Sequence, residues 1–147
     1  MNRIVLLITA AALATAAPAM TAAAADLIYR GASPLTEGVV GKPYWAIQAN
    51  CAGIYGAASA FRSEKGDAAG AAEARTIGVA FFHDAVDRVM KDRSVARPVA
   101  IEALSPAVIQ GRTEALQMLA AEGDGATSKW NFARSACLDV RDAYAAQ

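Results

Sequence analysis

The segment from Tyr44 to Arg62 constrains the fold more than any other part of this sequence. Its apolar side chains recur at the spacing of one helical face, at Ile47, Cys51, Ile54, Tyr55, Ala58 and Phe61. The opposite face carries no charge and consists of Ala49, Ala52, Gly53, Gly56 and Ala60. A helix that is apolar or small on all sides is usually packed against several neighbours. The segment therefore predicts a central helix, and Gly53 and Gly56 predict the close approach of a neighbouring backbone.

Three more long helices and one short helix are predicted after it. Asp67 is a suitable N-cap for a second helix from Ala68 to Asp92, with an apolar stripe at Gly78, Phe81, Phe82, Ala85, Val86 and Val89. A short helix from Ser94 to Leu104 follows, and Ser105-Pro106 predicts a new helix start. The third long helix runs to about Glu122 and stops at Gly123-Asp124-Gly125. The last helix spans Lys129 to Ala145, with Thr127 or Ser128 as its cap.

Residues 26–43 precede these helices and contain too many helix breakers for a long helix. Ser33-Pro34, Gly38, Gly41 and Pro43 predict an extended arm, which the apolar cluster Leu27-Ile28-Tyr29 attaches to the body. Alanine makes up about a quarter of the chain, which favours helix by intrinsic propensity. We therefore expect an all-α fold: a four-helix bundle-like domain over residues 44–147, with one extra short helix and an extended N-terminal arm.

Residues 1–25 have the pattern of a cleavable signal peptide. A basic start at Arg3 precedes an apolar run that ends in four alanines before Asp26. Signal peptidase requires small residues at the first and third positions before the cut, so we expect cleavage after Ala25, with Ala19 as the alternative site. An uncleaved membrane anchor is the competing interpretation. The second half of the apolar run is nearly all Ala and Thr, and no basic cluster follows it. Both features favour cleavage, and therefore a periplasmic or secreted protein.

The charge composition excludes two classes of partner. The chain has 14 basic and 14 acidic residues, without a basic cluster. Nucleic acids and anionic membrane surfaces both require clustered Lys and Arg. We therefore expect no nucleic acid and, after signal cleavage, no membrane among the partners; the expected partner is a protein or a small ligand of unknown identity.

The two cysteines, Cys51 and Cys137, both lie on predicted apolar helix faces. In an oxidising compartment two buried thiols that meet form a disulfide, so we expect a Cys51–Cys137 bond. The alternative is two separate buried thiols. A redox-active pair or haem attachment would require a Cys-x-x-Cys motif, which the chain lacks.

His83 is the only histidine and the main candidate for chemistry. It lies next to Asp84 and four residues before Asp87, so His83 and Asp87 share a helical face. This pattern allows an acid–base pair or a metal site. One histidine cannot complete a tetrahedral zinc site without other ligands, so a solvated helix face is the simpler interpretation and we predict no cofactor.

Arg112 is the second candidate site residue. The predicted third helix has an apolar face formed by Val108, Ile109, Ala115, Leu116 and Leu119, and Arg112 projects into it. Arg75 projects onto the apolar side of the second helix in the same way. A charge in this position must be paired or must extend its head to water. An anion receptor between helices is the functional interpretation. The structural interpretation is an interhelical salt bridge or a side chain that extends its guanidinium to water.

No catalytic motif is present, so three hypotheses on function remain. The first is a non-enzymatic interaction or binding module of the bacterial periplasm, which predicts an exposed apolar patch. The second is a small-ligand carrier with an interhelical pocket near Arg112, which requires a cavity of about 300 Å³ or more. The third is a small periplasmic enzyme or metal-handling protein that uses His83, Asp84 and Asp87, which requires these side chains to share a cavity.

Overall fold

A computed structural model describes residues 25–31, 33–120 and 124–147, and for residues 124–128 it describes the backbone alone. A 3-10 helix, Pro34–Val39, precedes four α-helices: α1 (Tyr44–Glu64), α2 (Ala68–Arg93), α3 (Arg97–Ala120) and α4 (Asp124–Ala145). The predicted all-α, bundle-like class is confirmed. The signal sequence and the expected stop at Gly123 lie outside the described residues. Among the helices that were described, none combines the length and apolarity needed to cross a membrane.

α1 is the central helix, as its sequence predicts. It contacts α2, α3 and α4, and Ala49 and Ala52 of its small face are buried like Ile47 and Ile54, whereas Ala60 is exposed. Gly53 provides the close approach expected of it, because a Cβ there would lie 2.1 Å from the carbonyl oxygen of Val108 in α3. The same expectation is wrong for Gly56, which is exposed and where a Cβ would meet nothing within 4 Å.

α2 runs antiparallel to α1 and packs on it through its predicted apolar stripe. Asp67 caps the helix, since its carboxylate accepts a hydrogen bond of 2.8 Å from the backbone N–H of Gly70. Phe81 is fully buried and stacks on Tyr55 of α1 with ring centroids 5.7 Å apart. Gly78 permits this contact, because a Cβ there would lie 3.1 Å from Cβ of Tyr55.

The predicted break between Leu104 and Ser105 is wrong: α3 is one continuous helix. Pro106 lies inside this helix on the solvent side. Proline has no backbone N–H, so the carbonyl of Glu102 lacks its intrahelical partner and can bind water instead. Ser105 does not act as a cap. Its hydroxyl donates instead to the carbonyl of Ile101, one turn earlier, at 3.1 Å.

The predicted buried face of α3 is also wrong in part. Ala115 is buried, but Ile109 and Leu116 are 63% and 45% exposed. The side that faces α1 consists mainly of small residues, including Ala100, Gly111 and Ala115. A Cβ on Gly111 would lie 2.0 Å from the carbonyl oxygen of Asn50, so only small residues allow the two backbones to lie this close.

α4 runs antiparallel to α1, because Tyr144, Cys137 and Trp130 contact Tyr44, Cys51 and Tyr55 in turn. Its apolar face points inward, and Cys137 and Val140 are both buried. It begins at Asp124, so the expected caps Thr127 and Ser128 lie within the helix. Its C-terminal end packs near the start of α1, where Gln147 donates a hydrogen bond to the hydroxyl of Tyr44.

The arm before α1 packs over the ends of α1, α2 and α4. The backbone N–H of Leu27 donates to the buried carboxylate of Asp92 at 2.9 Å, and Asp92 also pairs with Arg88. Tyr29 is 1% exposed and packs edge-on against Tyr44. These contacts position the 3-10 helix beside α1 and α4, and the candidate site lies at that junction.

Candidate functional site

The Cys51–Cys137 disulfide joins the central helix to the last one. The two sulfur atoms are bonded at 2.07 Å, and the linked residues are 86 positions apart in the chain. Both cysteines are 3% exposed. The expectation of a disulfide between these two helices is confirmed.

An apolar groove runs beside this disulfide, and we call it the α1–α4 groove. Its first hollow, of about 430 Å³, lies between the 3-10 helix, α1 and α4. Its second hollow, of about 410 Å³, continues towards α3. Ile54, Phe132 and Ala133 line both hollows, so the two form one surface. The other apolar residues of the groove are Leu35, Val39, Ile47, Ala136, Val140 and Met118.

Phe132 and Leu35 stand at the edge of this groove in an exposed position. Phe132 is 54% exposed and Leu35 is 36% exposed, while Ile47 and Ile54 beneath them are buried. Large aromatic and aliphatic side chains at the rim of an apolar floor are typical of interaction surfaces. Sequence reasoning missed both residues. Only the position of Phe132 between the inward-facing Trp130 and Ala133 indicated that it would point elsewhere.

Carboxylates mark the two ends of the α1–α4 groove. Glu37 of the 3-10 helix lines the first hollow, and among the described residues there it is the only charged one. Glu114 lines the second hollow together with Lys129. Glu114 accepts hydrogen bonds from Gln110 at 2.8 Å and from Asn50 at 3.4 Å, so its position is fixed by α1 and α3. The first end of the groove is therefore acidic.

A second open groove, of about 580 Å³, lies on the α1–α2 side of the molecule. Its floor is made of small residues, including Ala52, Gly56 and Gly78, and Val79 stands 49% exposed at its edge. Arg75 lines this groove and is exposed, so its guanidinium reaches solvent, as the structural interpretation of this residue requires.

Arg112 does not occupy the position expected from the sequence. It is exposed on α3, and neither of the two larger grooves includes it among its lining residues. The helical wheel placed it among buried residues, but the face around it, with Ile109 and Leu116, is the exposed one. The geometry therefore gives no support to an anion receptor or a carrier pocket built on Arg112.

His83, Asp84 and Asp87 line none of the grooves described above. His83 is exposed, and its Nδ1 lies 3.2 Å from the guanidinium of Arg97, which is also 3.8 Å from the carboxylate of Asp87. Burial raises the pKa of Asp84, and the nearby charge of Asp87 raises it further. Among the described residues no cluster of three or more histidine, cysteine or acidic side chains could hold a metal ion. The geometry gives no support to an acid–base or metal site here.

Tyr44, Trp45 and Asp139 have structural roles. Tyr44 lies between Tyr29 and Tyr144, and Trp45 is covered by the guanidinium of Arg93 at 4.6 Å, so both close the end of the core. Asp139 accepts a hydrogen bond from the hydroxyl of Ser33 in the arm. Cys51 and Cys137 border the α1–α4 groove.

Comparison of this chain with protein families, with curated proteins and with solved structures found no match. Its function must be argued from the grooves themselves.

Proposed function

We propose that this protein is a non-enzymatic binding module of an oxidising compartment, and that it holds an apolar segment of another protein in the α1–α4 groove. The observation that carries the proposal is the apolar surface centred on Phe132. This residue is 54% exposed and borders both hollows of the groove.

The openness of the groove favours a protein partner over a small ligand. Carrier sites enclose about 70–90% of a ligand's surface. Here the edge is formed by Phe132 and Leu35, which are themselves exposed. Two consecutive hollows of similar volume suit two large apolar side chains of one segment.

Charge adds a preference for the partner's sequence. Glu37 lies at the end of the groove next to the 3-10 helix. A basic residue beside the apolar segment would complement this carboxylate, and complementary charges contribute to specificity and to the rate of association. The proposed partner segment is therefore apolar with a Lys or Arg at one end.

The compartment is inferred from two independent features. Residues 1–25 have the pattern of a signal peptide, and the mature domain carries a disulfide between buried cysteines. Disulfides persist in secreted and periplasmic proteins and are rare in the cytosol. Both features support export to the periplasm or beyond.

The test is site-specific photocrosslinking in the protein's own host. A benzoylphenylalanine at position 132 should give a discrete adduct with one protein, and the same label at position 79 should not. Val79 is a matched control, because it is 49% exposed at the edge of the other groove.

A substitution sharpens this test once the adduct is identified. Phe132→Asp should weaken binding of that partner at least tenfold, since it places a charge in an apolar contact. The stability of the free protein should change by less than about 0.5 kcal/mol, because the site is exposed. Equal adducts at both positions, or a discrete small-molecule mass that accompanies the purified protein in native mass spectrometry, would contradict the proposal.

A further inference from the structure

We propose that a small hollow on the opposite side of α4 from the groove binds a carboxylate group. This Tyr55 hollow has a volume of about 90 Å³ and lies between α1, α2 and α4. Its lining residues are Tyr55, Arg62, Glu73, Ala74, Ile77, Trp130 and Arg134. The site is separate from the α1–α4 groove, so it does not depend on the function proposed above.

Tyr55 forms the rigid floor of the hollow. Its side chain is almost fully buried, stacked on Phe81 and edge-on to Trp130 with ring centroids 6.0 Å apart. Burial raises the pKa of Tyr55, although the nearby guanidinium of Arg134 acts in the opposite direction. The phenol therefore remains protonated at neutral pH, and its O–H can donate a hydrogen bond to an anion.

Arg62 supplies a cation from α1 that its protein partners do not saturate. One of its nitrogens donates to the carbonyl of Gly70 at 3.2 Å and lies 3.9 Å from the carboxylate of Glu73. Glu73 is 67% exposed, so this ion pair is weak. A guanidinium has five N–H donors, and most of those of Arg62 remain available.

Arg134 supplies a second cation from α4, close enough to the phenol to lower its pKa. Two guanidinium groups and the carboxylate of Glu73 thus line the hollow, which leaves a net charge of +1. A monovalent anion would neutralise this charge, whereas a doubly charged phosphate would exceed it. Guanidinium and phenol donors also match the geometry of a carboxylate.

The size of the hollow agrees with this chemistry. Its volume of about 90 Å³ is about a fifth of that of either hollow of the α1–α4 groove. It admits a carboxylate and little more, and the rest of the ligand would lie against Trp130 and Ile77. The ligand class is therefore a short carboxylic acid or the C-terminal carboxylate of a peptide.

The experiment is a titration of the full domain with acetate at constant ionic strength, with chloride as the balancing anion. The probe is the indole N–H resonance of Trp130, which can be assigned because the chain has only two tryptophans. We expect a saturable shift. Arg134→Gln should weaken acetate binding about tenfold, because it removes a charge-assisted hydrogen bond. Tyr55→Phe should weaken it several-fold while it keeps the buried ring.

Two controls make the result specific. Arg112→Gln removes an exposed arginine elsewhere and should leave acetate binding unchanged. N-acetylalanine and its amide separate the two sources of the carboxyl group. If N-acetylalanine binds and its amide does not, the ligands include the C-terminal carboxylates of peptides. If acetate alone binds, the ligands are short carboxylic acids.

The proposal would be overturned by a shift that grows linearly with acetate and is the same in Arg134→Gln. It would also be overturned if inorganic phosphate or chloride bound as tightly as acetate, since the hollow would then be a non-specific cationic surface. Neither result would bear on the α1–α4 groove, whose test uses a different residue and a different partner.

Discussion

The contact of α1 with α3 and its contact with α4 are built in opposite ways. In the first, the backbones themselves meet, since a Cβ on Gly53 or Gly111 would lie 2.1 Å or 2.0 Å from a carbonyl oxygen of the other helix. In the second, a disulfide ties the helices, and a hollow lies on each side of α4. At the glycines, the α1–α3 contact has no room for side chains between the backbones, whereas the α1–α4 contact leaves accessible surface next to the disulfide.

This difference suggests a division of roles within the domain. The backbones of α1 and α3 meet through small residues, and α2 packs on α1 through its buried apolar stripe, so these three helices form the scaffold. α4 and the arm are attached by the disulfide, by aromatic contacts such as Trp130 to Tyr55 and Tyr144 to Tyr44, and by polar contacts such as Ser33 to Asp139. A helix that is fixed covalently needs less side-chain packing, and its flanks remain free for binding.

Loss of the disulfide should have the largest effect on this division. The double substitution Cys51→Ala and Cys137→Ala removes a loop constraint of 86 residues, which is worth about 4–5 kcal/mol as an upper figure. We expect the free energy of unfolding in urea to fall by most of this amount. Hydrogen exchange in α4 should accelerate more than in α1 and α3. Equal acceleration in all three helices would mean that α4 is not the weakly attached element.

Substitutions at two glycines of α1 test the α1–α3 contact, because we expect them to change the free energy of unfolding in opposite directions. Gly53→Ala introduces a Cβ 2.1 Å from the carbonyl oxygen of Val108 and should destabilise the protein by about 3 kcal/mol or more, because backbone cannot move aside cheaply. Gly56→Ala introduces a Cβ that meets nothing within 4 Å and should stabilise it by up to about 1 kcal/mol through helix propensity. Urea unfolding of both variants measures the difference. Two changes of the same sign would contradict the proposed role of Gly53.

How far the sequence predicted the fold depended on the kind of residue at each contact. α1 and α2 were predicted within two residues, since large apolar residues mark their buried sides and Asp67 is a capping residue. The buried face of α3 was not predicted correctly, because small residues such as Ala100 and Gly111 form it. A helical wheel ranks residues by size and hydrophobicity, and it therefore assigned Ile109 to the core.

The candidate site was less predictable than the fold. The cysteines indicated that α1 and α4 would meet, but a groove depends on the angle and depth at which α4 lies, and no local pattern encodes these. Phe132 is exposed because the space beside Ile54 is left open by three separate elements. The Tyr55 hollow likewise combines residues from three helices. Such sites depend on tertiary packing, which a single sequence does not specify position by position.

The attachment of the arm can be weakened at Asp92. This carboxylate is 1% exposed, accepts the N–H of Leu27 at 2.9 Å and pairs with Arg88. Asp92→Asn keeps an acceptor for Leu27 but leaves the partly buried guanidinium without its counter-charge, so we expect a loss of about 2–3 kcal/mol. Hydrogen exchange at Leu27 and Tyr44 should rise in the variant. Protection that stays at the original level would show that the arm is held by other contacts.

The smallest expected effect concerns the pH dependence of stability, to which a carboxylate of the arm and one of the scaffold should contribute with opposite signs. Hydrogen bonding to Arg93 lowers the pKa of Asp26 below 3.8, so its ion pair stabilises the fold above about pH 4 and this contribution is lost as the pH falls through the lowered value. Burial raises the pKa of Asp84, so its contribution is present below 3.8 and is lost as the pH rises through the raised value.

Asp26→Asn should therefore destabilise the protein at pH 7 and Asp84→Asn should stabilise it, each by less than about 1 kcal/mol because both groups are partly solvated. At pH 3 both differences should shrink. Urea unfolding of the two variants across this range provides the measurement. If Asp84→Asn destabilised at neutral pH, its carboxylate would have a favourable partner in α2 or α4, and the contrast between a polar arm and an apolar scaffold would not hold at that position.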